Sequence, residues 1–405
     1  NAGYCYCNSI YLITKNTRLL FSLNDRVLYA CDVLQQAYRT KRLLACVTHK
    51  IGCHHCVHSY TLWVVHITFK GSHPRRFVLI IKKGEVMKIV NITKVALLAL
   101  SSLMLMPAQA DYPDKPIGVM VAYGPGGATD FQARIATLAS GKEELIGQPI
   151  YILNKPGAGG RKGWNWFASE ASQDGYMLGA YNVPHFIAQS IVFDTKYNIN
   201  NLEPLGNWGA DPAVLIVGKD SPFNTVGELL AHAEANPGAV TISGAGKFVG
   251  HHIAFLQFAK ASGANLTYIP ASGGVDALRM VKAGETVAGF NNLSDSARSA
   301  ADLKILAVAD LTRHEYLPDV PTLMESGVDV DDSSVNFRGL MVPAGTPQSV
   351  IDYLASKVPD MFGEKKTVGK MKATNSPARI MTRDEVISMW NERQAYLTDL
   401  LAGLQ

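Results

Sequence analysis

Lys115-Pro116-Ile117-Gly118-Val119-Met120-Val121-Ala122-Tyr123 is a largely apolar run that stops at Gly124-Pro125-Gly126-Gly127-Ala128-Thr129-Asp130. A short apolar run bounded by turn residues reads as a buried strand. The spacing of Phe131, Ile135, Leu138 and Ala139 then predicts a helix. The same order returns downstream. Residues 149–153 read as a strand that runs into Asn154-Lys155-Pro156-Gly157-Ala158-Gly159-Gly160, and a helical stretch follows. Asp174-Gly175 turns the chain into a third strand, 176–181. Strand, glycine loop and helix in repetition predict an α/β fold of mainly parallel sheets flanked by helices.

The pattern recurs further on. Ala213-Val214-Leu215-Ile216-Val217 is a strand, and Thr225 caps the helix opening at Val226-Gly227-Glu228. Ser243-Gly244-Ala245-Gly246-Lys247-Phe248-Val249-Gly250 leads into a helix over 253–261. A strand at 266–270 ends in Ala271-Ser272-Gly273-Gly274, and 305–309 is another buried strand. Glycine-rich strand-to-helix junctions therefore lie in two well-separated stretches.

The composition divides at Met87. All six cysteines precede it, in a stretch of 12 basic and 3 acidic residues; the remainder holds 26 basic and 31 acidic. The formal charge of +4 is thus an average of two unlike parts, and a nucleic-acid role read from it is excluded. Met87-Lys88-Ile89-Val90-Asn91-Ile92-Thr93-Lys94, an apolar run to Met106 and Pro107-Ala108-Gln109-Ala110 have the layout of a secretory signal peptide. Cleavage is expected after Ala110, leaving 111–405 as an acidic, cysteine-free, secreted chain. Residues 1–86 then read as translated upstream sequence rather than a native domain. Cys53-His54-His55-Cys56 offers metal-ligand types there, but as one dense cluster instead of two separated pairs.

A glycine loop that opens a helix aims unpaired N–H groups at one point, where the helix dipole adds positive potential. Such a loop is either an anion cradle or simply a tight turn with a capped helix. Gly126, Gly127, Ala128 and Thr129 are candidate donors, and Asp130 is a candidate cap. Gly157-Ala158-Gly159-Gly160 does not complete a dinucleotide fingerprint, and Gly246-Lys247 lacks the Ser/Thr of a phosphate loop. A carboxylate suits the smaller cradle. No nucleophile elbow and no His-Glu-x-x-His motif is present, which argues against the alternative of a secreted hydrolase or isomerase. His252 reads as a helix-start residue packed on its loop. Lys247 either pairs with a second carboxylate or lies solvated on a rim. Tyr123 and Phe248 are either cleft walls or core. Asn182 and Asn291 follow strand ends, where ligands sit in such sheets, although turn chemistry alone explains asparagines there.

These pieces resemble the substrate-binding proteins of tripartite tricarboxylate transporters, the Bug family, over nearly all of 112–405. The resemblance rests on Pro125-Gly126-Gly127-x-Thr129-Asp130 with Arg134, on Asn154-Lys155-Pro156-Gly157-Ala158-Gly159-Gly160 and on Asp174-Gly175-Tyr176-x-Leu178. Leu317-Pro318-Asp319-Val320-Pro321-Thr322 and Pro343-Ala344-Gly345-Thr346-Pro347 extend it. It implies a two-lobed periplasmic binding protein of type II-like α/β architecture, with lobe 1 from 111–212 and 333–405 and lobe 2 from 213–332. It implies a small organic carboxylate in the cleft, held by Gly126–Asp130 and faced by Gly246, Lys247, Phe248, Val249 and Gly250, with Ser272 and Gly273 nearby. It implies membrane permease subunits as transient partners, a monomeric non-enzymatic receptor, no cofactor, no metal and no nucleic acid.

Overall fold

The computed structural model describes residues 112–402 in full and, before them, the backbone of five strands. β1 (Ser9–Thr14) pairs antiparallel with β2 (Thr17–Ser22); β3 (Leu44–Gly52), β4 (Thr61–Phe69) and β5 (Arg75–Lys82) form an antiparallel sheet in that order. They belong to a unit of their own, Asn1–Gln109. The leader at 87–110 with its cleavage site and the Cys53–Cys56 cluster lie outside the described residues.

The second unit, Ala110–Gln405, holds two sheets. The chain lays down β6 (Ile117–Val121), α1 (Ala128–Ala136), β7 (Ile150–Asn154), α2 (Arg161–Glu170), β8 (Met177–Val183), α3 (His185–Val192) and β9 (Leu202–Asp211). One residue, Pro212, then separates β9 from β10 (Ala213–Gly218). There follow α4 (Val226–Ala235), β11 (Thr241–Gly244), α5 (Gly250–Ser262), β12 (Thr267–Pro270), α6 (Gly274–Lys282), β13 (Ala288–Asn292), α7 (Leu293–Arg298) and β14 (Leu303–Ala309). The chain returns through β15 (Asn336–Pro343), α8 (Gln348–Gly363), α9 (Lys365–Ala373), β16 (Ala378–Met381) and α10 (Arg383–Ala402). The strand orders are β16-β9-β15-β8-β6-β7 and β12-β11-β13-β10-β14. The fold is a two-lobed α/β architecture.

Both sheets are mixed, and the strands that break the expected parallel pattern have a common cause. β6, β7, β8 and β9 share one direction, while β15 runs between β8 and β9 against both. In the other sheet β10 opposes β13 and β14. Each reversed strand is the first one laid down after the chain passes from one sheet to the other. The parallel strands end at the cleft, so a strand that begins there must run away from it. β16, at the far edge, also opposes β9.

Both faces of the six-stranded sheet are covered, which is why its central strands are largely apolar. Val119, Ala180 and Leu340 pack with Leu354 and Val358 of α8. Their neighbours Met120, Tyr181 and Met341 pack on the opposite face with Phe186 of α3 and Trp390 of α10. Leu215, Ile242 and Phe290 pack with Phe258 of α5 in the second lobe. β15 pairs with β9 through a bulge between Arg338 and Gly339. A Cβ on Gly339 would collide with the Gly206 carbonyl oxygen and the Tyr181 hydroxyl, so only glycine fits there.

Candidate functional site

The ends of β6, β8, β11 and β13 and the starts of β10 and β15 meet around a cavity of about 480 Å³ between the two lobes. From the first lobe it is lined by Tyr123, Gly127, Ala128, Thr129 and the 156–158 loop, with His185 and Asn336 behind. From the second it is lined by Ala245, His251, the 272–276 loop, Asn292 and Asp295. A cleft of this size suits a small molecule.

The loop into α1 is held by Asp130. Gly126 has φ +85°, a backbone conformation that favours glycine. Its N–H donates to Asp130 Oδ2 at 2.9 Å. Arg134 Nη2 and Asn154 Nδ2 donate to the other oxygen, at 2.8 and 2.9 Å. Burial works against the Asp130 carboxylate, but these donors outweigh it and hold its pKa below the ordinary value. Asp130 is spent on the loop and does not face the cavity. Gly126 likewise shapes the loop from outside the lining.

Thr129 is placed to donate. Its Oγ1 accepts from Asn182 Nδ2 at 2.8 Å and from Arg338 Nε at 3.2 Å. A hydroxyl has two acceptor sites and one proton. With both acceptor sites engaged, the proton points elsewhere, and Thr129 lines the cavity. Asn182 is therefore a buried positioning group behind Thr129, and it also donates to Asn336 Oδ1 at 3.1 Å.

Arg338 is the residue that sequence reasoning missed. It is fully buried and paired with the fully buried Asp211 at 2.8 Å. It also reaches Gln132 Oε1 at 3.2 Å and, across the lobes, Asn292 Oδ1 at 2.8 Å. Asp211 in turn accepts from Gln132 Nε2, the Ser294 N–H and the Ser294 hydroxyl. The signal was present in the sequence. A lone arginine inside Asn336-Phe337-Arg338-Gly339-Leu340-Met341-Val342 is out of place in a buried strand unless it is paired.

The second-lobe loop sits differently from the expectation. Gly246, Lys247, Phe248, Val249 and Gly250 are not on the cavity wall; only their flanks, Ala245 and His251, are. Gln189 Nε2 donates to both the Gly159 and the Lys247 carbonyl oxygens, at 3.0 and 3.1 Å, tying this loop to the first-lobe glycine loop. A Cβ on Gly246 would stand 3.1 Å from Gly159 Cα. Phe248 packs on Phe193 and His252, Val249 caps α5, and Lys247 is exposed. These glycines serve loop-on-loop packing. Asn291 is also off the wall: its Nδ2 donates to the Gly274 carbonyl, and the next residue, Asn292, faces the cavity. Successive strand residues point to opposite faces. Ser272 and Gly273 do line the cavity, as do Tyr123, Gly127, Ala128 and Thr129.

His251 lines the second-lobe wall. The Ala245 N–H donates to its Nδ1 at 3.1 Å. Burial holds its pKa down at about 4, so the ring is neutral and its proton is on Nε2. Nε2 is itself buried, on the side of the Asn292 side chain. Burial also keeps His185 neutral, well below its ordinary value. Like Asn292 Oδ1, Asp295 Oδ2 accepts across the cleft from the second lobe, taking the Ala128 N–H at 3.2 Å.

Residues 133–366 match the sequence model of the tripartite tricarboxylate transporter family receptor. A UPF0065 protein of Bordetella pertussis is 33% identical over 271 residues, which is 66% of this chain and 81% of that protein. A solved structure described as a periplasmic transporter superposes with a TM-score of 0.66 at 27% identity, covering 72% of this chain and 97% of the other. MatC from Rhodopseudomonas palustris, solved with bound malate, shares the fold with a TM-score of 0.65 at 22% identity, over 72% of this chain and 100% of its own.

Proposed function

Because the chain belongs to the tripartite tricarboxylate transporter receptor family, we propose that it is a periplasmic solute receptor that closes two lobes over a small organic carboxylate. Lobe 1 comprises 111–212 and 333–405, and lobe 2 comprises 213–332. The carrying observation is that Thr129, at the N-terminus of α1 and on the wall of the cavity between the lobes, has both acceptor sites engaged by Asn182 and Arg338 and so keeps its proton for a ligand. A carboxylate that accepts from it while the second lobe supplies the facing wall prefers the closed arrangement, and binding is then linked to closure.

The protein's own residues divide the work. Thr129 binds; Asn182 and Arg338 orient its hydroxyl; Asp130 fixes the loop that presents it. Gly127, Ala128, Tyr123, Ser272 and Gly273 shape the wall. The closed form presents a surface to membrane permease subunits, and the receptor acts as a monomer without chemistry of its own. Intact mass of protein made from its own gene tests the expected cleavage after Ala110, and a turnover assay with each bound acid tests the receptor reading against a hydrolase or isomerase.

The test of binding is a thermal-shift panel of mono-, di- and tricarboxylates and amino acids. A ligand at 100 times its Kd adds about 2.7 kcal/mol of stability. Thr129→Ser keeps the hydroxyl and is expected to bind as the parent does, whereas Thr129→Val weakens binding at least tenfold. No shift with any acid, or equal binding by both variants, refutes the reading.

A further inference from the structure

We propose that Asp295 is a tethered place-holder for the ligand: its carboxylate holds the Ala128 amide at the head of α1 until an entering carboxylate displaces it. This rests on the receptor reading above and adds a built-in competitor to that same site.

The first bond within α1 runs from the Phe131 N–H to the Gly127 carbonyl at 2.9 Å. The N–H groups of Ala128, Thr129 and Asp130 therefore find no acceptor inside the helix. That of Ala128 is taken from the other lobe, by Asp295 Oδ2 at 3.2 Å. Both residues line the cavity, so the contact lies on the wall and not behind it. Ala128 also precedes Thr129, whose hydroxyl proton is kept for a ligand. A ligand carboxylate has two oxygens to satisfy. One takes that proton, and a donor for the other, on the adjacent residue, is the amide that Asp295 holds.

Each half of the contact is complete without the other. On the second lobe, Asp295 keeps Arg298, in the same helix α7, through Oδ1, and Asn292 Nδ2 at 3.3 Å through Oδ2. On the first lobe, the loop keeps its shape because Gly126, Arg134 and Asn154 all donate to Asp130. Separating Asp295 from Ala128 thus strands no charge and collapses no loop; it releases one amide. The Arg338–Asp211 pair, buried on both sides, offers no such exchange. Like charges crowded together in a buried setting disfavour each other, so an incoming carboxylate replaces Asp295 at the amide rather than joining it. Because the contact spans the lobes, the exchange also swaps a closing contact made by the protein for one made through the ligand.

The sign of a substitution tests this. A contact given up on binding opposes binding, so weakening it beforehand tightens the complex. A contact that is kept, or an Asp295 that itself holds the ligand, gives the reverse. Asp295→Asn removes the charge and Asp295→Ala removes the acceptor; Arg298, a quarter exposed, is then left to water. Calorimetry with acetate, succinate, malate and citrate is expected to show affinity rising from parent to Asn to Ala, at least tenfold in all, for any of these acids that binds. Ala128→Pro deletes only the amide, since proline suits the first position of a helix and Gly127 before it is already extended at ψ 166°. It is expected to weaken the same acid at least tenfold, and it covers the case of Asp295 variants that do not fold. Before any acid is added, amide exchange at Ala128 should be at least tenfold faster in Asp295→Ala, with exchange in β6 unchanged. Equal or weaker binding by the Asp295 variants, parent-like binding by Ala128→Pro, or unchanged exchange at Ala128 overturns the inference while leaving the receptor reading intact. If neither parent nor variants bind any of the four acids, the receptor reading itself fails and takes the inference with it.

Discussion

Replacing Arg338 by Met removes a charge from the centre of the molecule while keeping most of the side-chain volume. The pair it breaks is fully buried on both sides, with Nη1 2.8 Å from Asp211 Oδ2. Removing one partner of a buried pair costs about 3–5 kcal/mol, because the other charge is left uncompensated. Asp211 keeps three donors, from the Gln132 amide, the Ser294 N–H and the Ser294 hydroxyl. The lower end, about 3 kcal/mol, is therefore expected. For a domain of this size that lowers Tm by about 6–12 °C. Denaturant unfolding should show the midpoint falling with an unchanged m-value, the mark of lost stability rather than altered compactness. The double variant Arg338→Met with Asp211→Asn should recover much of the loss, since no unpaired charge remains. A single-variant cost below about 1 kcal/mol, or a double variant as poor as the sum of the singles, would refute the buried-charge account.

Two neighbouring glycines should behave in opposite ways. Gly126→Ala meets no atoms within 4 Å but has φ +85°, so it is expected to cost about 1 kcal/mol of stability with little loss of binding. At Gly127 an added Cβ meets only Val275 at 3.8 Å and the Gly124 carbonyl at 3.9 Å, so Gly127→Ala should keep its Tm, while Gly127→Asp keeps its Tm and loses binding in calorimetry. Equal behaviour at the two positions sinks this distinction. For pH, burial lowers His251 and His252 from 6.5 to about 4. The unfolded chain therefore holds more protons between those values, and stability is whole above pH 6.5 and lost as pH falls toward 4, by roughly 3 kcal/mol for His251. Asp295 and Asp310, whose pKa values burial raises, act in the other direction just above 3.8, so the histidine slope is read between pH 5 and 6.5. Tm should fall across that window, and less steeply in His251→Asn; a flat profile counts against the assignment.

The parts of this fold that were legible in the sequence were local. Thr225 caps α4 with the Glu228 capping box because the two residues are three apart in one turn. The apolar runs of β6, β8 and β10 read directly as buried strands. The loop at Gly126–Thr129 announced a helix N-terminus, and it lies at the cleft. What was not legible depended on partners far along the chain. The loop at Gly246–Gly250 has the same composition as a ligand cradle, yet its glycines let two loops from different lobes touch. Nothing local separates those two uses. Asn291 and Asn292 differ by one step of strand register, and only the Val214 and Ala213 pairings decide which one faces the cavity. The role of Asp295 depends on the Ala128 amide 167 positions away.

The insertion of β15 between β8 and β9 sets an order of assembly. β9 pairs within its sheet only with β15 and β16, and both are encoded after β14. Until residue 343 has emerged, β8 and β9 cannot be joined, and each offers an open edge to any passing strand. All five strands of the other sheet, by contrast, lie between Ala213 and Ala309. A chain that emerges from its N-terminus therefore completes its second lobe before it can close its first. Truncation at 333–335, past the last core residues of the second lobe, Leu323, Val328 and Val330, should leave one finished half carrying one sticky half, so aggregation of such fragments is a property of the strand order and not of any particular side chain.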